Sequence, residues 1–258
     1  MFKWQLIPST LPHTKDATYA ILIANPDPRL QGYPTPHGTC FFVSDDGYAI
    51  TARHVIEKPA GQAEQRGMQE LCPSSDIRLN KPEYQIEMEE PQIVRDWPQF
   101  DLALLKVDFD KNRKQRGLAG KSGFDFLEVD FNLVPEGSQV YCFGYPLPKW
   151  RVDMTDMTGF EYFSPRATSA IIASHHEVLG PERDSFPLYY VIDKALNYGN
   201  SGGPTVLVES GKVISVCQRF QPVLIPQAQH AIEIPSLYGI TCSLKNIENE
   251  LKQYLKTD

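Results

Sequence analysis

Apolar positions along the chain fall in short runs separated by polar and turn-forming residues. The runs are Ala20–Ala24, Cys40–Val43, Tyr48–Thr51, Leu102–Val107, Gln139–Phe143, Ser169–Ala173, Leu188–Ile192, Thr205–Val208 and Val213–Cys217. They are rich in Val, Ile, Tyr and Phe, the residues that suit a pleated, half-buried surface. Asp45-Asp46-Gly47 between two runs is a tight-turn signal and predicts a hairpin. A helical period is convincing only near the end. There Leu244, Ile247, Leu251 and Tyr254/Leu255 share one face, and Ser243 is placed to cap it. The pattern predicts an all-β protein, a barrel or sandwich, closed by a C-terminal α-helix over residues 243–258.

Composition narrows this reading. The chain has 258 residues, enough for a large core, with 41% hydrophobic and 22% charged residues, which excludes a disordered chain or a coiled coil. Its net charge of −7 gives no general attraction to nucleic acid or anionic membranes, so neither is expected as a partner. No apolar run reaches membrane-spanning length. Met1–Pro12 is broken by prolines and polar residues and does not read as a signal peptide. The five cysteines, Cys40, Cys72, Cys142, Cys217 and Cys242, are odd in number and read as free thiols. Together these features predict a cytoplasmic location. The stretch Asp108–Phe126, with Lys111, Arg113, Lys114 and Arg116 and then three glycines, reads as a solvated connection. Its Gly120-Lys121-Ser122 resembles the tail of a phosphate-binding loop, but the required earlier glycine is Gln115 and no strand precedes it.

Chemistry concentrates in Gly199-Asn200-Ser201-Gly202-Gly203-Pro204. A serine hydroxyl attacks a carbonyl only if a base takes its proton and converging N–H groups hold the oxyanion. Glycines on either side let backbone amides turn toward that oxygen. Alone, the segment is equally well an ordinary turn. The segment also fits the esterase pattern G-x-S-x-G, but that elbow needs a helix after the serine and an acid, then a histidine, downstream. Here a strand-like run follows, the only later histidine is His230, and the next Asp is Asp258. Upstream, the order His, Asp, Ser is available. His54 directly follows the run Tyr48–Thr51, and Asp101 opens Leu102–Val107, so both sit at strand ends. Asp96 lacks such a strand behind it and reads as a surface residue. His175-His176 make a weak metal pair, and His13, His37 and His230 lie in polar or Pro-rich loops. No metal or other cofactor is expected.

The segments GTCFFVSDDGYAITARHVI (38–56), DLALLKV (101–107), EGSQVYCFGYP (136–146), TSAIIAS (168–174), VIDKALNYGNSGGP (191–204) and GKVISV (211–216) resemble the trypsin-like serine peptidases, nearest the HtrA-like branch, without a PDZ domain. The resemblance implies two six-stranded antiparallel β-barrels of the chymotrypsin type, with the active site between them. On that plan residues 1–17 are an extension, 18–115 the first barrel carrying His54 and Asp101, 116–131 the connection, 132–242 the second barrel carrying Ser201, and 243–258 the helix. It implies His54 as general base, Asp101 as its orienting carboxylate, Ser201 as nucleophile, and the amides of Gly199 and Ser201 as the oxyanion hole. The substrate pocket falls on Ala195, Cys217, Gln218 and Arg219. Because Ala195 carries no charge at the pocket floor, small or medium apolar residues are expected before the cleaved bond, with Arg219 or Glu233 able to modify that preference.

Asn200 stands where secreted relatives place an Asp that pairs with a newly cut N-terminus, so activation of that kind is not expected. Segments 154–166 and 219–237 are expected as loops around the pocket that gate activity, with room for a regulatory protein or domain partner. The expected function is a serine endopeptidase acting on protein or peptide substrates through an acyl-enzyme. A silent trypsin-fold binding module and a serine esterase are the alternatives.

Overall fold

The computed structural model describes residues 9–23, 35–57, 70–73, 91–112, 120–146, 149–152, 159–162, 165–177, 188–226 and 231–255. The first half holds α1 (Leu11–Asp16), β1 (Thr18–Ile23), β2 (Thr35–Phe42), β3 (Tyr48–Ala52), α2 (Arg53–Ile56), β4 (Glu70–Pro73), β5 (Gln92–Trp97), a 3-10 turn (Pro98–Phe100), β6 (Leu102–Lys106) and α3 (Phe109–Asn112). Its six strands form one antiparallel sheet in the order β4-β1-β2-β3-β6-β5. The Asp45–Gly47 turn joins β2 to β3 as expected. Ser44 Oγ donates to Asp46 Oδ1 at 2.6 Å and accepts from Tyr48 N at 3.0 Å.

The second half holds β7 (Gln139–Gly144), β8 (Lys149–Val152), β9 (Gly159–Tyr162), β10 (Arg166–Glu177), β11 (Leu188–Ile192), β12 (Pro204–Leu207), β13 (Val213–Pro226) and β14 (Ala231–Ser243). Six of these close a barrel in the order β10-β11-β14-β13-β12-β7, while β8 and β9 pair with each other. A 3-10 turn (Leu244–Ile247) and α4 (Glu248–Leu251) follow.

Three expectations change here. Two closed barrels were expected, and among the described residues one closes. Among those residues the first sheet has β4 and β5 as its edges, and the segments on either side of β4 lie outside the described residues. The closing helix begins as a 3-10 turn capped by Ser243 and becomes α-helical only at Glu248. The expected loop 219–237 is instead a paired hairpin, with register running from Arg219↔Ile240 to Pro226↔Ala231. Most of 154–166 and His230 lie outside the described residues, as do the side chains of Cys72, His176 and Glu233.

Alternation along the strands sorts the apolar side chains into three cores. Tyr19, Cys40, Phe42, Ala49 and Leu105 fill the first half. Val140, Cys142, Ile172, Ile192 and Cys217 fill the barrel. Phe41, Ile50, Leu104, Val216 and the helix residues Leu244, Ile247 and Leu251 form the third, which joins the two halves. Segment 120–131 runs along that seam. Leu127 N bonds Phe42 O at 2.9 Å on one side, and Asp130 N bonds Val213 O at 2.8 Å on the other. α1, unforeseen because it is a six-residue helix containing Pro12, is held to the barrel by Thr10 and Thr14 hydroxyls, 2.9 and 2.8 Å from Tyr141 Oη.

Candidate active site

His54 sits in the single turn of α2 that terminates β3. Val55 and Ile56 of that turn are buried, so the apolar pair anchors it and turns Arg53 and His54 outward. Asp101 caps the 3-10 turn before β6. Its φ of 52° makes it the one non-glycine residue with positive φ among those described. That backbone region is costly for most side chains and tolerated by Asp, which suits the residue type to this tight turn. Asp101 Oδ2 lies 2.7 Å from His54 Nδ1, and Oδ1 accepts from His54 N at 2.9 Å. One carboxylate thus fixes both the ring and the backbone of His54, and it favours the tautomer with hydrogen on Nδ1 and a free lone pair on Nε2. The two side chains are 43% and 36% exposed, so the pair opens onto solvent. Asp96, expected at the surface, is exposed and bonds Arg53 Nε at 3.0 Å.

Across the seam, Asn197–Asn200 forms a turn closed by Asn200 N donating to Asn197 O at 3.0 Å. Its third residue, Gly199, has φ of 94°, the geometry such a turn demands of glycine, and a Cβ there would lie 2.2 Å from Tyr145 O. Gly202 follows with φ of 85°. Among the described residues no acceptor meets the amides of Gly199 or Ser201. The Ser201 hydroxyl donates to Gln218 O at 2.7 Å, and no bond joins it to His54 among the described residues.

The expected pocket residues part company. Ala195 is half-buried and Arg219 exposed. The Cys217 thiol is fully buried within the barrel core, 3.5 Å from Thr205 Oγ1. Gln218 is 5% exposed, and its side chain points to the acid loop, with Nε2 donating to Phe100 O at 2.6 Å and to Asp101 O at 3.3 Å. His37, expected in a loop, lies instead on β2 with its side chain exposed. Its imidazole is held below its ordinary value, first by lost hydration and then by the charge of His54. The His175 ring bonds Val134 O at 2.8 Å and packs on Tyr190, a structural setting.

Fold and site together define a class: an all-β protein of two halves, with a His–Asp pair on one and a glycine-flanked serine turn on the other. The chain belongs to the trypsin-like peptidase family, whose "Trypsin-like peptidase domain" matches residues 38–216. It is similar to the "Probable periplasmic serine endoprotease DegP-like" of Bartonella henselae, 27% identical over 186 residues, covering 71% of this chain and 28% of the relative. A protein of the same description from Marinomonas sp. is 27% identical over 191 residues, covering 73% and 31%. The chain therefore spans about three tenths of the length of these curated relatives. In fold it resembles the HtrA-type protease AlgW solved with a tripeptide, with TM-score 0.60 and 15% identity over 96% of this chain and 62% of that one. The same protease with a decapeptide gives 0.59 and 17%, over 95% and 66%.

These relatives overturn the cytoplasmic expectation, since both curated proteins are described as periplasmic. The inference from unpaired cysteines fails for a physical reason. Cys40, Cys142, Cys217 and Cys242 are free and buried. Burial pushes the thiols of Cys40 and Cys242 up, the latter to about 12. A thiol that is neither ionised nor accessible is inert, so its lack of a partner says nothing about compartment.

Proposed function

We propose that the chain is a serine endopeptidase acting on protein substrates through an acyl-enzyme. The observation that carries this reading is the Asp101 carboxylate bonded at once to Nδ1 and to the backbone N–H of His54. In this reading Ser201 Oγ turns from Gln218 O to His54 Nε2, a rotamer change that gives up one hydrogen bond, about 1 kcal/mol. Nε2 takes the hydroxyl proton as Oγ bonds to the substrate carbonyl carbon. The Gly199 and Ser201 amides receive the oxyanion. His54 then gives its proton to the leaving amine, and water repeats the sequence to release the acid. The peptides held by the similar HtrA-type structures support an extended peptide as the substrate class. The periplasmic relatives support that compartment for this chain.

The bond from Ser201 Oγ to Gln218 O favours a second reading, a binding module whose serine is not engaged. Labelling with a fluorophosphonate separates the two. A peptidase is labelled at Ser201, and both labelling and casein hydrolysis vanish in Ser201→Ala and fall to a residual rate in His54→Ala. A chain that resists the probe and leaves casein intact is a binding module. Hydrolysis that survives in Ser201→Ala moves the nucleophile elsewhere.

A further inference from the structure

Thr39 lies on β2 of the first sheet, fully buried, with its hydroxyl and N–H committed to the serine turn and Tyr145 and its carbonyl to Thr51 on β3. Its hydroxyl donates to Gly199 O at 2.7 Å and accepts from Tyr145 N at 3.3 Å. Its N–H donates to Ser201 O at 2.8 Å, and its carbonyl accepts from Thr51 Oγ1 at 2.7 Å.

The consequence shows in the peptide units of the turn. The unit between Gly199 and Asn200 is held at both ends, its carbonyl by the Thr39 hydroxyl and its N–H by Asn197 O at 3.0 Å. The unit between Ser201 and Gly202 is held likewise, its carbonyl by Thr39 N and its N–H by Cys217 O at 2.7 Å. The two amides without acceptors, on Gly199 and Ser201, belong to the units that alternate with these. A peptide unit is planar, and its direction is set by its neighbours' dihedrals. Fixing the flanking units therefore fixes where the free N–H groups point.

We infer that Thr39 is a positioning residue for the oxyanion site, acting from the opposite half of the molecule through its hydroxyl on the Gly199 carbonyl. This rests on the reading of Ser201 as nucleophile. Without the hydroxyl, the buried Gly199 carbonyl has no donor among the described residues, and the 199–200 unit gains by rotating toward another. Such a rotation changes ψ of Gly199 and frees the preceding unit, which carries the Gly199 amide, from the neighbour that sets its direction. The demand falls on the transition state, where charge develops on that oxygen, and not on binding of the extended peptide.

The test compares Thr39→Val, Thr39→Ala and Thr39→Ser on a fluorogenic peptide spanning a casein site that the enzyme cuts, together with the rate of fluorophosphonate labelling. Removal of a whole oxyanion donor costs about 10²–10³-fold in kcat. Misdirecting one is expected to cost about 10–100-fold in Thr39→Val, with KM within about twofold and the labelling rate falling in step. Thr39→Ser restores most of both. Thr39→Ala, which cannot overfill the site, gives the same loss should the valine variant fail to fold. A folded Val or Ala variant with wild-type kcat overturns the inference, as does a loss carried by KM alone or one that Thr39→Ser shares in full. Activity surviving in Ser201→Ala is a different failure and strikes the proposed function instead.

Discussion

Replacing Gln218 by Leu separates two roles for one residue. If Gln218 were a wall of the substrate pocket, the change would alter which peptides are cut. The structure turns its side chain toward the acid loop instead, with Nε2 on Phe100 O at 2.6 Å and on Asp101 O at 3.3 Å. Leu keeps much of the volume and removes both bonds. Asp101 O keeps Arg53 N as a donor at 2.9 Å, whereas Phe100 O has no second partner among the described residues. An acceptor left bare in a largely buried setting costs about 1–3 kcal/mol. In a chain of this size that lowers the thermal midpoint by roughly 2–12 °C. The same bonds steady a residue in the left-handed region, whose carboxylate orients His54. Complete loss of an orienting carboxylate costs about 10⁴ in kcat, and a loosened one is expected to cost about 10–100-fold. The assay measures kcat and KM on peptides that differ only in the residue before the cleaved bond. The expected result is a uniform fall in kcat with the ranking of peptides unchanged. Gln218→Glu, which faces two carbonyl oxygens with an acceptor, is expected to be worse than Leu. A reordered preference at wild-type kcat would show that Gln218 serves the pocket after all.

Gly202→Ala puts a Cβ 2.0 Å from Thr39 O and 2.3 Å from Thr51 Oγ1 at a φ of 85°. Left-handed strain of about 1–2 kcal/mol and overpacking of about 1–3 kcal/mol predict a denaturation midpoint well below the parent's, and an equally stable variant refutes the packing argument. His37 supplies a pH test. Its folded value is depressed, so between the unfolded imidazole value of about 6.5 and that lower value the native state binds fewer protons than the unfolded chain. Its neutral form therefore stabilises fully above about 6.5, and the contribution drains as pH falls. His37→Asn is expected to flatten that part of the curve of stability against pH, and an unchanged slope in urea titrations across the window counts against it.

The short apolar runs were legible because burial on one face imposes a period of two, and β1–β3, β6, β7 and β10–β13 fall on them. β4, β5, β8 and β9 fall outside those runs, and β5 is almost wholly exposed, so burial imposes no alternation on it. The hairpin of β13 and β14 read as loop because Pro222 and Pro226 break the pattern, although the strands still pair around them.

The pocket positions show why a site is harder to read than a strand. Cys217 pairs with Thr241 and Arg219 with Ile240, which leaves Gln218 as the extra residue of a bulge. A bulge breaks the alternation that any alignment along a strand assumes, and it re-aims a side chain. Here the re-aimed side chain reaches Asp101, and the same residue's carbonyl receives the Ser201 hydroxyl. Asp101 itself departs from ordinary backbone, and so do Gly199 and Gly202. These four irregularities come from the 3-10 turn before β6, the serine turn and β13, three elements remote in sequence, and they meet at one seam. Each is locally unfavourable or silent in a one-dimensional pattern, and each has a hydrogen-bonded partner on another element. Residue types could therefore announce the candidate chemistry, through His54, Asp101 and Ser201. Their hydrogen-bonded neighbours across the seam, Thr39 and Gln218, become visible only once the two halves are brought together.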